Sequence, residues 1–254
     1  MAHRFKVGYQ IHPQHCSVDQ IRQAYRAADS LGVDTTWVWD HMHPLYGPPD
    51  GNHFECVSLL AAMAVETRNV HFGALVAANG YRNPEQYAYT MATIDHLSGG
   101  RAILGIGAGW FERDYQEYRY EFGDAPSRLR ELGRALPRIK SRLQKLVPPP
   151  VGRMPIMIGG GGERVTLRLT AQYADMWNTM PPLDSWSRKN RVLTDWCERL
   201  GRDPRAVERT CSVSPDLYGQ LDGFLEAGAQ HFILRGMQPF DMRPLEELLR
   251  LSGR

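Results

Sequence analysis

Short apolar, β-prone segments alternate with longer helix-patterned ones along this chain, and that alternation leaves few folds open. Segment 5–11 is apolar and stops at His12-Pro13. Ser17 and Gln20 then form a capping-box pattern, able to satisfy exposed N–H groups at a helix start. Val18, Ile21, Ala24, Tyr25, Ala28 and Leu31 follow at helical spacing up to Gly32, a suitable helix stop. Further strands are predicted at 35–39, 70–75, 102–107, 155–158, 175–178, 209–213 and 231–234. Helices are predicted at 55–67, 83–98, 126–146, 163–173, 184–200, 216–227 and 244–251.

Such alternation implies a parallel sheet with helical crossovers. Eight units over 254 residues, close to the roughly 250 of a (β/α)₈ barrel, predict an α/β fold: one TIM-barrel domain over 1–254. An open doubly wound sheet is the alternative topology. Pro148-Pro149-Pro150 is a stiff connection and not a domain linker, because a strand follows at once. A hydrophobic content of 43% suffices for a buried core, and a formal net charge of +2 gives no reason to expect nucleic acid or an anionic membrane as partner. No apolar run approaches the ~20 residues of a membrane span. The opening residues lack a secretory pattern, and Cys16, Cys56, Cys197 and Cys211 are scattered without metal or redox spacing. A reduced, cytoplasmic protein acting on a small molecule is expected.

In a barrel, residues just after each strand line the functional rim, and those just before face the opposite end. His12 follows the first strand; Asp40, His41 and His43 follow the second; Asn79 and Arg82 follow the third. Gly109, Trp110 and Glu112 follow the fourth, Gly159 to Gly162 the fifth, and Asn178 to Met180 the sixth. His71, His96 and His231 fall on the opposite, stabilising face. Asp40 and His41 read equally as a cap beside a loop residue or as a proton-transfer pair, histidine being the side chain that titrates near neutrality. Four glycines before a helix exceed what a turn needs and favour an anion site built from backbone N–H groups. Gly105-x-Gly107-x-Gly109 lacks the full dinucleotide spacing. The aromatic run from Trp110 to Phe122 suits either a planar ligand or simple packing of the loop.

Several stretches together carry a family resemblance: Trp37-Val38-Trp39-Asp40-His41, Asn79-Gly80-Tyr81-Arg82-Asn83-Pro84 and Asp95-His96-Leu97-Ser98-Gly99-Gly100-Arg101. Leu104 to Trp110, Ile158 to Gly162 and Tyr173 to Asn178 continue it in the same order. The chain resembles the bacterial-luciferase-like superfamily of flavin and deazaflavin oxidoreductases, above all its members that use coenzyme F420. The resemblance implies a barrel that forms a homodimer, with a deazaflavin across the rim exchanging hydride at its C5 carbon. It assigns Asp40 to cofactor contact and catalysis, and His41 to proton transfer. It places a bulge with a non-prolyl cis peptide near Leu75-Val76 behind the ring, Gly107 and Gly109 close to the cofactor, and Gly160, Gly161, Gly162 and Asn178 around its phosphate. His12, His43, Asn79 and Trp110 are expected in the substrate pocket. Relatives often carry a longer insertion before the fifth strand, and the tail after Asn178 is compact here; both regions help wall the substrate pocket in relatives, so the resemblance does not extend to the identity of the substrate.

The expected function is hydride transfer between F420 and a small organic substrate. The alternatives are an FMN-dependent monooxygenase on the same fold and a metal-dependent barrel hydrolase. His41-Met42-His43 has ligand spacing, with His12, His15 and His53 on early loops. The later strand ends offer almost no further ligands, so no metal site is expected.

Overall fold

The structure is a computed structural model that describes residues 3–254. Its strands are β1 (Lys6–Ile11), β2 (Thr35–Val38), β3 (His71–Ala74), β4 (Ala77–Ala78), β5 (Ala102–Gly107), β6 (Ile156–Gly159), β7 (Met176–Thr179), β8 (Glu208–Val213) and β9 (His231–Gly236). All pairings between neighbours are parallel. β9 pairs with β1 from Lys6↔His231 to Ile11↔Gly236, and β3 and β4 both pair with β5. β3 and β4 therefore act as one staggered strand broken at Leu75-Val76, and the sheet closes into an eight-stranded barrel. This is the expected (β/α)₈ fold.

The crossovers are α1 (Val18–Leu31), α2 (Cys56–Glu66), α3 (Pro84–Ser98), α4 (Glu112–Glu117), α5 (Ala125–Lys145), α6 (Thr166–Tyr173), α7 (Leu183–Arg199) and α8 (Leu221–Glu226), and α9 (Arg243–Leu251) follows the last strand. The capping box of α1 is formed: Gln20 N–H donates to Ser17 Oγ at 3.2 Å, and Ser17 N–H donates to Gln20 Oε1 at 2.8 Å. Gly32 ends that helix with φ +79°, a left-handed conformation that glycine adopts without a Cβ penalty. Asn83 caps α3, and Pro84 takes its first position, where no N–H is needed. Two predicted elements differ in kind and not only in their ends. Strand 70–75 is interrupted at Leu75-Val76 and resumes as β4. Helix 216–227 becomes a 3₁₀ segment, Pro215–Gln220, ahead of the short α8, where Gly219 and Gly223 weaken helical propensity.

The main core lies between the outer faces of the strands and the helices. Inside the barrel, Trp37, Leu75, Ile103, Met157, Met176 and Ile233 fill the middle. Below them the floor is polar. His231 Nε2 lies 3.0 Å from Thr35 Oγ1, its Nδ1 lies 2.8 Å from Glu208 Oε1, and Lys6 pairs with the same glutamate at 2.6 Å. Burial alone would raise the Glu208 carboxyl, yet His231 and Lys6 hold it down at about 2. His231 thus belongs to the stabilising end, as its position at the start of the last strand implied. All four cysteines are free and buried, and among the described residues no helix is long and apolar enough to cross a membrane.

Candidate active site

The upper end of the barrel opens into a cavity of about 500 Å³. Period-2 alternation aims Gln10 of β1, His12 just past its end, Ser212 of β8 and Arg235 of β9 into it. Trp39, Asp40 and His41 enter from the end of β2, and Leu75 and Val76 from the break between β3 and β4.

His41 is held by a residue far away in sequence. Its Nδ1 lies 2.9 Å from Asp114 Oδ2, on α4. Tyr81 donates its hydroxyl to the same oxygen at 2.9 Å, and His43 Nδ1 lies 2.8 Å from Asp114 Oδ1. Asp114 is fully buried. Burial by itself would raise its carboxyl, but the hydrogen bonds from His41, His43 and Tyr81 win and hold it below the usual carboxylate range. An ionised carboxylate only accepts, so Nδ1 of both histidines carries hydrogen, and a neutral His41 keeps Nε2 as an acceptor. The His41 ring is gripped edge-on by Trp110 and Phe111, with centroids 5.7 and 5.6 Å away. His43 places its other nitrogen 2.8 Å from Glu117, which makes it a clasp between the β2 loop and α4 rather than part of the cavity wall.

Asp40 lines the cavity but its carboxylate is engaged. Arg82 grips both oxygens at 2.5 and 3.0 Å, and Ala78 N–H donates at 3.0 Å. Burial works against the Arg82 charge, and the Asp40 carboxylate more than offsets it, raising the guanidinium's pKa. Asp40 therefore positions the short β4 and the loop beyond it.

His12 stacks on Trp39 at 4.0 Å, and Trp39 donates its indole N–H to His53 at 2.8 Å. Burial first, and the Arg235 charge second, push the His12 imidazole down to about 3, so it is neutral at physiological pH. Burial likewise lowers His53 to about 4.

The opposite wall is bare backbone. The Leu75-Val76 peptide is cis, as the resemblance implied, and Val76 stands against Gly107 and Gly159. A Cβ on Gly107 would meet a Val76 methyl at 2.7 Å, and one on Gly159 would meet the other at 2.9 Å. Gly109 has φ +79° and abuts the Tyr115 hydroxyl. Beyond this wall, Gly160 (φ +123°) ties its N–H to Asn178 O, and the chain runs through Gly161 and Gly162 to Thr166. A Cβ on Gly161 would lie 2.7 Å from Lys189 Nζ, and one on Gly162 would lie 2.8 Å from Thr166 Oγ1. Two glycine backbones, a hydroxyl and an ammonium thus form a cradle of the chemistry a phosphate requires. α6 begins only at Thr166, three residues later than predicted, because 163–165 form a turn after the glycines.

Of the predicted site residues, the structure brings His12, Asp40, His41, Leu75, Val76, Gly107, Gly109, Trp110, Gly160 and Asn178 to one cavity. Gly161 and Gly162 lie just outside it, in the cradle. Asn79 lines a neighbouring cavity of about 330 Å³ with Tyr115 and Arg128, its Oδ1 buried without a partner among the described residues. Asp114, Tyr81, Lys189, Ser212 and Arg235 were missed. His41 and His43 both turn Nδ1 onto Asp114, and among the described residues no group of three or more His, Cys, Asp or Glu is arranged to hold a metal ion.

Comparison with known proteins agrees with this architecture. A phthiodiolone/phenolphthiodiolone dimycocerosates ketoreductase of Mycobacterium tuberculosis (strain ATCC 25618 / H37Rv) is 30% identical over 224 residues, 73% of this chain and 58% of the relative. An F420-dependent secondary alcohol dehydrogenase, solved with an F420-acetone adduct, superposes with a TM-score of 0.86 at 17% identity over 99% of both chains. The oxygenating constituent of 3,6-diketocamphane monooxygenase from Pseudomonas putida, solved with FMN, superposes with a TM-score of 0.75 at 16% identity, covering 99% of this chain and 97% of that one. At such identities the two structures share the fold. The model of the luciferase-like monooxygenase family matches residues 1–217. The chain belongs to the luciferase-like monooxygenase family.

Proposed function

We propose that this protein is an oxidoreductase that binds coenzyme F420 across the barrel rim and exchanges hydride between it and a small organic substrate. The observation that carries this reading is His41, oriented by a buried carboxylate in the wall of a cavity that also contains a bare glycine wall. The residues present fit the cofactor. Val76, Gly107 and Gly159 offer a flat, side-chain-poor face, and the Gly161–Gly162 cradle with Thr166 and Lys189 suits a phosphate-bearing tail.

Bound there, a deazaflavin supplies the hydride donor or acceptor. His41 accepts a proton from a substrate hydroxyl, or returns one to a carbonyl oxygen, through Nε2. Asp114 fixes the tautomer that leaves Nε2 free and stabilises the ring when it gains a proton. His12, being neutral, adds no competing positive charge beside the substrate. Trp39 and Trp110 restrict water at the His41 ring.

The experiment is to add F420, FMN, NADPH and zinc separately to purified protein and follow Tm. F420 is expected to give the largest rise. No shift with either F420 or FMN overturns the reading. A rise with FMN alone, accompanied by FMN-coupled oxygen uptake, replaces it with a monooxygenase.

A further inference from the structure

Arg235 is a cation in the cavity wall without an anion to answer it among the described residues. Its Nη2 donates to Ser214 Oγ at 3.1 Å, while its Nε is buried with no partner among the described residues. Arg82, the other arginine near the cavity, is by contrast saturated by Asp40. A partly desolvated guanidinium left unneutralised is costly, and an incoming anion relieves that cost. The surroundings do not supply one. Gln10 of the neighbouring β1 is amide, Ser212 and Ser214 are hydroxyl, and His12 is a neutral ring whose own protonation Arg235 opposes.

Its place in the ring also matters. β9 is four barrel strands from β5 in either direction, counting β3 and β4 as one. Arg235 therefore stands across the cavity from Gly107 and Val76, on the side left for a substrate. The glycine cradle after β6 is a separate anion site with its own cation, Lys189.

We propose that Arg235 determines substrate specificity by holding the carboxylate of a small anionic substrate over the glycine wall. One arginine balances the single charge of a carboxylate. A phosphate monoester, with about −1.5 to −2 at neutral pH, would bring uncompensated charge into the cavity. The planar guanidinium matches the carboxylate in shape as well. The inference rests on the reading of this cavity as the redox site, but carboxylate binding is measurable without turnover.

The test is calorimetric binding of butyrate and hexanoate, of butanamide and hexanamide, and of butyl phosphate. Each is measured on the purified protein alone and with F420 present. Wild type is expected to bind each carboxylate at least about tenfold tighter than its amide. Arg235→Met is expected to bring that ratio close to one while leaving F420 affinity unchanged. Arg235→Lys, which keeps the charge and guards against a folding defect in the first variant, retains part of the preference. An unchanged carboxylate preference in Arg235→Met overturns the proposal. So does a loss of F420 affinity there, or tighter binding of butyl phosphate than of butyrate by wild type. Absence of F420 binding with carboxylate selectivity intact sinks the F420 reading and leaves the carboxylate site standing.

Discussion

Nδ1 of His41 lies 2.9 Å from Asp114 Oδ2, and the opposite oxygen of that carboxylate takes the ring of His43. One buried group thus orients a histidine of the cavity and anchors another that closes the loop beside it. Replacing His41 by Gln should lower kcat by about 10²–10⁴, the span of general acid–base contributions, with cofactor affinity retained. Asp114→Asn should lower kcat as well and also cost about 1–3 kcal/mol of stability, because buried donors lose their acceptor. Steady-state kinetics beside urea melts check both. A kcat unchanged in His41→Gln would remove His41 from the chemistry.

The Asp40–Arg82 pair gives a second expectation. Asp40 is 3% exposed and gripped through both oxygens. Removing either partner alone strands a charge, and each of Asp40→Asn and Arg82→Met should destabilise by about 3–5 kcal/mol. The double variant should lose less than the two singles summed. Full additivity in a double-mutant cycle would mean that the two groups are not coupled.

Acid stability should be governed by neutral histidines before the carboxylates. His12 sits at about 3 in the folded chain, against about 6.5 unfolded. Below pH 6.5 the unfolded chain takes a proton that the native one refuses. Stability from this group is therefore complete above pH 6.5 and is lost as pH falls toward 3. The total is on the order of 5 kcal/mol. His53, at about 4, acts in the same direction. His12→Phe keeps the stack on Trp39 and should flatten the decline of urea-melt stability between pH 6.5 and 4. An equally steep decline in that variant would assign it elsewhere.

Lys189 should affect cofactor binding and little else. Its Nζ lies beside Gly161, and the residue is only partly buried. Lys189→Met is expected to weaken F420 or FMN binding about tenfold, the value of one charge-assisted contact, with Tm of the cofactor-free protein unchanged. Fluorescence titration at two salt concentrations checks it, since loss of the ammonium should also reduce the salt dependence. Equal affinities for the two proteins would place the phosphate elsewhere.

Sorting residues by strand end located much of the cavity, because eight parallel strands put the residues after each of them on one rim. His12, Asp40, His41, Gly107 and Asn178 were all legible that way. Asp114 was not. It lies 73 residues beyond His41 on a six-residue helix, inside a stretch that reads as an aromatic loop, and no spacing rule links the two. Arg235 was missed for a different reason. The predicted last strand stopped at 234 because Arg-Gly is weakly β-prone, whereas β9 runs to Gly236 on the pairing offered by β1. Extending the inward alternation of His231 and Ile233 by one step reaches Arg235. His43 and Asn79 follow the right strands yet turn aside, one to Asp114 and Glu117, the other into the adjacent cavity.

Val76 occupies with its two methyls the space that side chains on Gly107 and Gly159 would need. Positions 76, 107 and 159 therefore share one volume, although they are distant in sequence. Among homologous sequences they are expected to covary, with a larger residue at either glycine accompanied by a smaller one at 76. An engineering library that varied the three independently would lose most of its members to overlap, whereas one that held their summed volume constant would reshape the cavity wall in small, usable steps.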